Sequence, residues 1–448
     1  MHTAVLAQSE HSSTEATGRG GVASTFVNDY QAIGINPANL GRSSHTLSFT
    51  FLEGGLGVSS RAFTPDIIRD FRSSSATEGE LGIAKRRNYA KAFASDDVLH
   101  VGADLSTFAI AVNLPKLGGF AISNRQRMLG HAGFNKNFSE LLFLGQDAPI
   151  VKEAGNELVY VSDVFEGTKL KVSWLQEWNI AFGRQLINLP GVSISGGVGY
   201  RYVRGLALGE FQVQNGQVKA HGSVTPTLAR GNESYIENPL SALTEAGKAL
   251  TPVGQGHGFD FGLSAVIAKD VKVAVSVTDM GSVRWTENLF VGEDRGFALS
   301  DIKSSDSYTF DHVIDMAEQV VNTAMEFTPQ DELTTKLPTR LRLGAGMKVA
   351  SNVELGVDYV HALNDAAGNL TQDFVGLGVD VMPTRFLRLS SGVSTGAGEK
   401  VNLPIGVTFV TPVYEFGLST RDITAPLSNE NPGASLAFAF LRFKVGPL

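Results

Sequence analysis

From residue 46 onward the chain alternates apolar and polar positions with a period of two, the signature of half-buried β-strands. Leu47, Phe49 and Phe51 alternate with Ser48 and Thr50. Phe108, Ile110, Val112 and Leu114 alternate with Ala109, Ala111 and Asn113. Trp174, Trp178, Ile180 and Phe182 share one face of the next strand, and Glu177, Asn179, Ala181 and Gly183 the other. The pattern returns at 192–202, 271–277, 341–349, 353–361, 375–381, 387–393, 401–409, 414–418 and 436–440. One face is apolar and aromatic; the other carries Gly, Ser, Ala and scattered charge. A soluble sandwich also alternates, but its polar face meets water and is richer in Lys and Glu. Small residues on this face suit a wall that encloses something.

The connections predict the topology. Short turns at 115–118, 188–191, 269–270, 350–351, 383–385 and 411–412 alternate with long connections at 59–97, 128–170, 205–256, 287–338, 364–372 and 421–432. Strict short-then-long alternation is the organisation of an outer-membrane barrel, with short turns periplasmic and long loops outside. If 211–221 spanned the wall, the turn at 269–270 would fall on the wrong side, so that segment reads as a hairpin arm within a long loop. The expectation is an all-β, up-and-down antiparallel transmembrane barrel of about fourteen strands, with both termini periplasmic. Short helices are expected in the extracellular loops. Thr64-Pro65-Asp66 starts one with a cap, a Pro at the first helical position and an acid in the first turn. Thr77 and Glu80 form a capping box for a second, running through Phe93. Asp311 caps a third over 313–325. These helices read as packing on the barrel rim or as a lid over its outer mouth.

Composition fits this and removes other classes. The 448 residues include 49 Gly and no Cys, with a net charge of −8 and a mean hydropathy of +0.02. No apolar run approaches the roughly 18 residues of a membrane helix, whereas a barrel with one polar face has near-zero hydropathy. Without Cys there is no disulfide framework or thiolate chemistry. The acidic balance argues against nucleic acid as a partner. The nine His residues are dispersed, none in a metal-ligand spacing. No nucleophile elbow or phosphate loop occurs. Gly254-Gln255-Gly256-His257-Gly258 and Gly196-Gly197-Val198-Gly199 read as flexible or lumen-facing strand positions. The expectation is a protein that is not an enzyme and has neither metal nor cofactor.

Charge on the polar face is the best chemical signal. Arg340, Arg342, Lys348, Glu354, Asp358, Asp380 and Arg388 lie opposite the apolar stripe. A charge facing hydrocarbon costs about 2–4 kcal/mol at the bilayer midplane, so these residues are expected to face the lumen or lie near an interface. They read as a structural ladder of opposite charges, or as a polar lining that handles a charged headgroup or stabilises a plug. Antiparallel register about the short turns predicts two ion pairs, Lys348 with Glu354 and Asp380 with Arg388.

The stretch before the first strand has its own character. Residues 18–40 are rich in small residues and centre on Asn36-Pro37-Ala38, a turn former followed by a fixed φ. It reads either as a surface loop feeding the first strand or as a plug inside the barrel. Fourteen strands enclose more space than their side chains fill, since eight are only just filled that way. The arrangement Ala32, Asn36, Pro37, Ala38, Leu40 ahead of alternating strands resembles the hatch of FadL-type outer-membrane transporters. It is also similar to PorV-like barrels of Bacteroidota. The resemblance implies three parts: residues 1–7 as a signal-peptide remnant or disordered terminus, 8–44 as a hatch, and 45–448 as the barrel.

Two functions follow from the resemblance. The first is an outer-membrane channel for a small hydrophobic or amphipathic molecule, gated by the hatch. The second is a non-enzymatic barrel that serves as partner subunit in a secretion or surface-assembly complex. The implied partners are membrane lipid, a hydrophobic small-molecule ligand, or a protein of an outer-membrane complex.

Overall fold

The computed structural model describes residues 13–43, 45–69, 82–95, 98–226, 250–302, 316, 319–370, 372–396, 399–428 and 432–447. Fourteen strands of the described residues form one closed antiparallel wall: β1 His45–Ser59, β2 Leu99–Leu114, β3 Gly118–Gly133, β4 Lys169–Leu189, β5 Val192–Gln214, β6 Gly254–Ile267, β7 Val271–Trp285, β8 Arg340–Ala350, β9 Val353–Ala362, β10 Phe374–Thr384, β11 Leu387–Gly396, β12 Ile405–Val410, β13 Tyr414–Thr420 and β14 Gly433–Pro447. Each pairs with its neighbours in chain order, and β14 returns to β1 with Phe443 opposite Phe49 and Ala437 opposite Gly55. Among the described residues, closure gives each of the fourteen strands a partner on both sides.

Alternation sorts the side chains as the sequence implies. Phe120, Ile180, Val198, Phe261, Val275, Leu343, Leu377, Val407 and Leu441 point outward and are exposed. Glu53, Asp104, Arg125, Glu177, Arg201, Asp358 and Arg442 point inward and are buried. An apolar exterior around a charged interior inverts the soluble pattern and is that of a bilayer-spanning barrel. The phase of alternation changes once in β1: Leu52 has a φ of 55°, so Phe51 and Leu52 both face outward before Glu53 turns in.

The short turns all lie at the end where β1 begins and β14 finishes. At the other end β5 runs on as one arm of a hairpin with Gln217–Val224, pairing Val213 with Val218. This is the hairpin the turn parity requires. The remaining long connections fold into a cap with its own apolar core. It holds helices α1 Ile83–Phe93, α2 Lys136–Leu144, α3 Pro149–Ala154 and α4 Val161–Val164, with Phe93, Phe138, Leu141, Phe143, Phe165 and Leu299 in the core. Asn135 caps α2 by accepting from the Phe138 amide at 2.8 Å. Pro65 to Arg69 are helical, and the Thr64 hydroxyl accepts from the Ile67 amide at 3.3 Å, the cap expected there. Residues 319–324 are helical, with Val320 and Ala324 buried. Thr77, Glu80, Asp311 and residues 1–7 lie outside the described residues. The connection at 287–338 also carries strands Leu289–Asp294, Met325–Pro329 and Leu333–Lys336, which the sequence reading passed over.

A closed barrel of this kind resists denaturing detergent until heated. Unboiled protein should migrate differently from boiled protein on a denaturing gel. A single position with and without heating would contradict the closed wall.

Candidate functional site

Residues 13–43 lie inside the barrel, in its short-turn half, and nearly all are buried. What admits them is a pair of glycine rows. Gly119, Gly183, Gly197 and Gly262 stand directly opposite one another across β3, β4, β5 and β6. Asn113 and Ser276 end the row. The 3-10 turn Pro37–Arg42 beds on it so closely that a Cβ at Gly183 or Gly197 would overlap the Pro37 backbone. Asn113 Nδ2 donates to the Leu40 carbonyl at 2.9 Å, and Ser276 Oγ to the Ile35 carbonyl at 2.6 Å. A second row, Gly346, Gly356, Gly378 and Gly392, crosses β8 to β11 in register. Thr25, Phe26, Val22 and Arg19 fill it.

The motif residues find their roles here. Asn36 Oδ1 accepts from the Ala38 amide at 3.0 Å, capping the turn that Pro37 begins. Its Nδ2 reaches the wall, donating to the carbonyls of Leu263 at 3.1 Å and Val275 at 3.3 Å. Ala38 and Leu40 are buried, Leu40 among Tyr30, Ile35 and the wall residues Ala111, Ala121 and Ala181.

Ion pairs fix the rest of the segment. Arg442 of β14 binds Glu15 at 2.9 Å, Asp29 at 2.9 Å and the wall residue Glu415 at 3.3 Å. Lys444 adds Asp29 at 3.6 Å and Glu415 at 3.3 Å, and Arg388 also pairs with Glu15. Three cations therefore meet three carboxylates in a dry site, where losing one partner strands a buried charge. Arg19 binds Asp380 at 2.7 Å and stacks over the Phe26 ring at 4.0 Å. Asp358 accepts from the amides of Ala23 and Ser24 and from the Ser24 hydroxyl, each at 2.8 Å. Glu53 takes the Tyr30 hydroxyl at 2.5 Å and Gln31 Nε2 at 2.7 Å.

The two expected cross-strand pairs form differently. Lys348 stands opposite Glu354 in register, but the carboxylate takes Lys272 of β7 at 2.5 Å and Lys348 is exposed. The turn is centred between Arg385 and Phe386, with Thr384 opposite Leu387, so Ser390, not Arg388, stands opposite Asp380. The inner segment then supplies both partners, Arg19 for Asp380 and Glu15 for Arg388. Arg340 is buried and holds the connection between β9 and β10, donating to Asn369 Oδ1 at 3.0 Å and to the Gly368 carbonyl at 2.7 Å. Arg342 is fully buried.

Above the segment lies a second charged layer. Arg201 binds Asp279 at 2.5 Å, Asp260 at 2.7 Å and Glu177 at 3.2 Å, and Arg125 pairs with Asp104. Gly34 packs beneath the guanidiniums of Arg125 and Arg201. Over this floor a cavity of about 1020 Å³ faces the long-loop end. Leu129, Leu175, Leu208, Val283, Trp285 and Leu337 give it apolar walls, and Lys169, Lys171 and Lys219 stand on one side with Glu210, which takes Lys171 at 3.2 Å. The loop at 363–370 folds inward across it until Gly368 touches Leu129.

The profile of one protein family matches residues 37–418, from the Pro37 turn through thirteen of the strands. The chain belongs to this family, DUF5723, a family of unknown function. No curated protein matches the DUF5723 chain in sequence. Among solved structures, the Ralstonia pickettii toluene transporter TbuX is 12% identical, with 96% of this chain and 97% of that chain covered and a TM-score of 0.47. The P. putida toluene transporter TodX is 10% identical, with 97% and 98% covered and a TM-score of 0.46. A Pseudomonas aeruginosa FadL homologue is 10% identical, with 99% of each chain covered and a TM-score of 0.43. Likeness at this level adds no weight to any statement about the DUF5723 chain.

Sequence reasoning missed the glycine rows. Their signal was present: a glycine on the polar face of each strand, a few residues from the short turn. Only register shows that these glycines face one another.

Two substitutions test the packing of the segment. Arg442→Met should lower unfolding stability by about 3–5 kcal/mol, because Glu15, Asp29 and Glu415 lose a shared partner. Gly183→Val should cost about 1–3 kcal/mol through overlap with the Pro37 backbone. Denaturant titration of the reconstituted barrel measures both.

Proposed function

We propose that this protein is a channel of the bacterial outer membrane for a small hydrophobic or amphipathic molecule, and that residues 13–43 are its hatch. The observation that carries this reading is the inner segment packed in the short-turn half of the lumen beneath a cavity of about 1020 Å³. A barrel of fourteen strands without its inner segment would be a pore. Here the segment is bedded on eight wall glycines and held by Asn36, Asp358, Asp380 and Arg442.

The cavity's lining sets the class of cargo. Apolar walls with lysines at one side suit a molecule with an apolar body and a polar or anionic end. The floor sets its limits. An apolar molecule gains nothing from a dry layer of paired charges and would have to part them to descend. Passage straight down therefore requires the segment and the layer above it to move together, since Gly34 underlies Arg125 and Arg201. The inward-facing residues Arg340, Asp358, Asp380 and Arg388 serve in this reading to fasten the hatch and the loop at the mouth, rather than to touch cargo.

Single-channel recording in planar bilayers tests the hatch. The intact protein should conduct little, and a variant lacking residues 8–39 should show large, steady openings. Equal conductance in the two, with the variant still heat-modifiable, would refute the hatch and leave the channel reading without its main support.

A further inference from the structure

Among the described residues the wall is interrupted between β7 and β8. β7 pairs with β8 as far as Thr278 opposite Arg340, and with Leu333–Lys336 from Ser282 opposite Lys336. Between them Asp279 has a φ of 60°, and the facing strand β6 is irregular between Phe259 and Phe261. Leu337 and Pro338 bridge the gap with their side chains buried inside, and the Leu337 amide donates to the Gly281 carbonyl at 2.9 Å. Gly281, paired with Gly258 on the inward face, shows the notch only its backbone, and a side chain there would overlap the His257 carbonyl. The result is a notch of about 740 Å³ on the outer face. Phe259, Phe261, Met280 and Leu363 line it, all exposed.

We infer that this notch holds one acyl chain of an anionic, phosphate-bearing lipid of the long-loop leaflet, with a phosphate resting on Lys336. Register puts Lys336 on the outward face, opposite Ser282, and it is the one charged residue among those lining the notch. Height selects the occupant. Tilted strands climb about 2.5 Å per residue along the barrel axis. Ser282 is eleven residues beyond Val271, or about 28 Å above the short-turn end, where the apolar band of about 25 Å gives way to headgroups. Phe261 is six residues from Ile267, so it stands about 15 Å up, at acyl-chain depth. A cation at phosphate height over an aromatic trough at chain depth matches an anionic amphiphile lying along the barrel axis. A neutral apolar molecule would leave Lys336 without a counter-ion. The site rests on the reading of the chain as a membrane barrel and is independent of the hatch.

Native mass spectrometry of the barrel released from nanodiscs tests this. The discs contain equal phosphatidylglycerol and phosphatidylcholine. The wild type should retain one phospholipid, predominantly phosphatidylglycerol. Lys336→Glu removes the counter-charge and Met280→Trp fills the trough; each should reduce occupancy at least fivefold. Arg385→Glu, at the short-turn end, should leave it unchanged. Retention at the wild-type level by Lys336→Glu or Met280→Trp would overturn the assignment, as would loss in all three. Gel heat-modifiability of every variant reports separately whether the barrel itself has formed.

Discussion

The approach of one backbone to another governs this molecule. A barrel wall ordinarily offers side chains to its lumen, and a peptide inside must keep its distance from them. Along two rows of four strands this wall offers only glycine, so the enclosed segment settles directly on the sheet. Everything else about the interior follows from that proximity. The Asn36 side chain can reach two wall carbonyls, Asp358 can take two successive amides, and Arg442 can hold three carboxylates at once. Larger residues along the rows would push these groups beyond hydrogen-bonding range, and each buried polar atom left behind would carry its desolvation cost.

The interior is thus layered by chemistry. Nearest the short turns is the segment with its ion pairs; above it, the ring around Arg201; above that, the partly apolar cavity; and over all, the cap. Apolar cohesion is greatest in the cap, whose core of Phe93, Phe138, Phe143 and Phe165 resembles that of a small soluble domain. In the lumen, directional bonds join smaller apolar clusters, one around Tyr30, Ile35 and Leu40 and one around Trp285. The outer face needs neither, because the exposed Phe, Leu and Val side chains take hydrocarbon as their solvent.

Much of the wall was legible in the sequence because its period is local. Leu47, Phe49 and Phe51 declare a strand without knowledge of any neighbour, and turn length declares which end is which. The inward direction of Asp358, Asp380 and Arg388 followed from the same parity. Their partners did not. Asp380 and Arg388 sit either side of one turn and suggested each other, yet the turn is centred beyond Thr384, which put them out of register, and Arg19 and Glu15, more than 360 residues away in sequence, claimed them. The helix Lys136–Leu144 also escaped, its apolar run being too short to distinguish from a strand. Spacing along a chain carries the period of an element; it does not carry what lies across a lumen.

The order of the segment's contacts has a consequence for assembly. Its later part, Pro37–Arg42, rests on β3 to β6, while Glu15, near its start, is held by Arg388 and Arg442 of the later strands. The residues synthesised first therefore wait for the last strands before their charges are matched. Sealing β14 against β1 and tethering the N-terminal segment are one event: Arg442, which Thr50 faces across that seam, holds Glu15 and Asp29. The barrel closes around its own beginning, and a chain cut short of its final strand would lose the seam and the tether together.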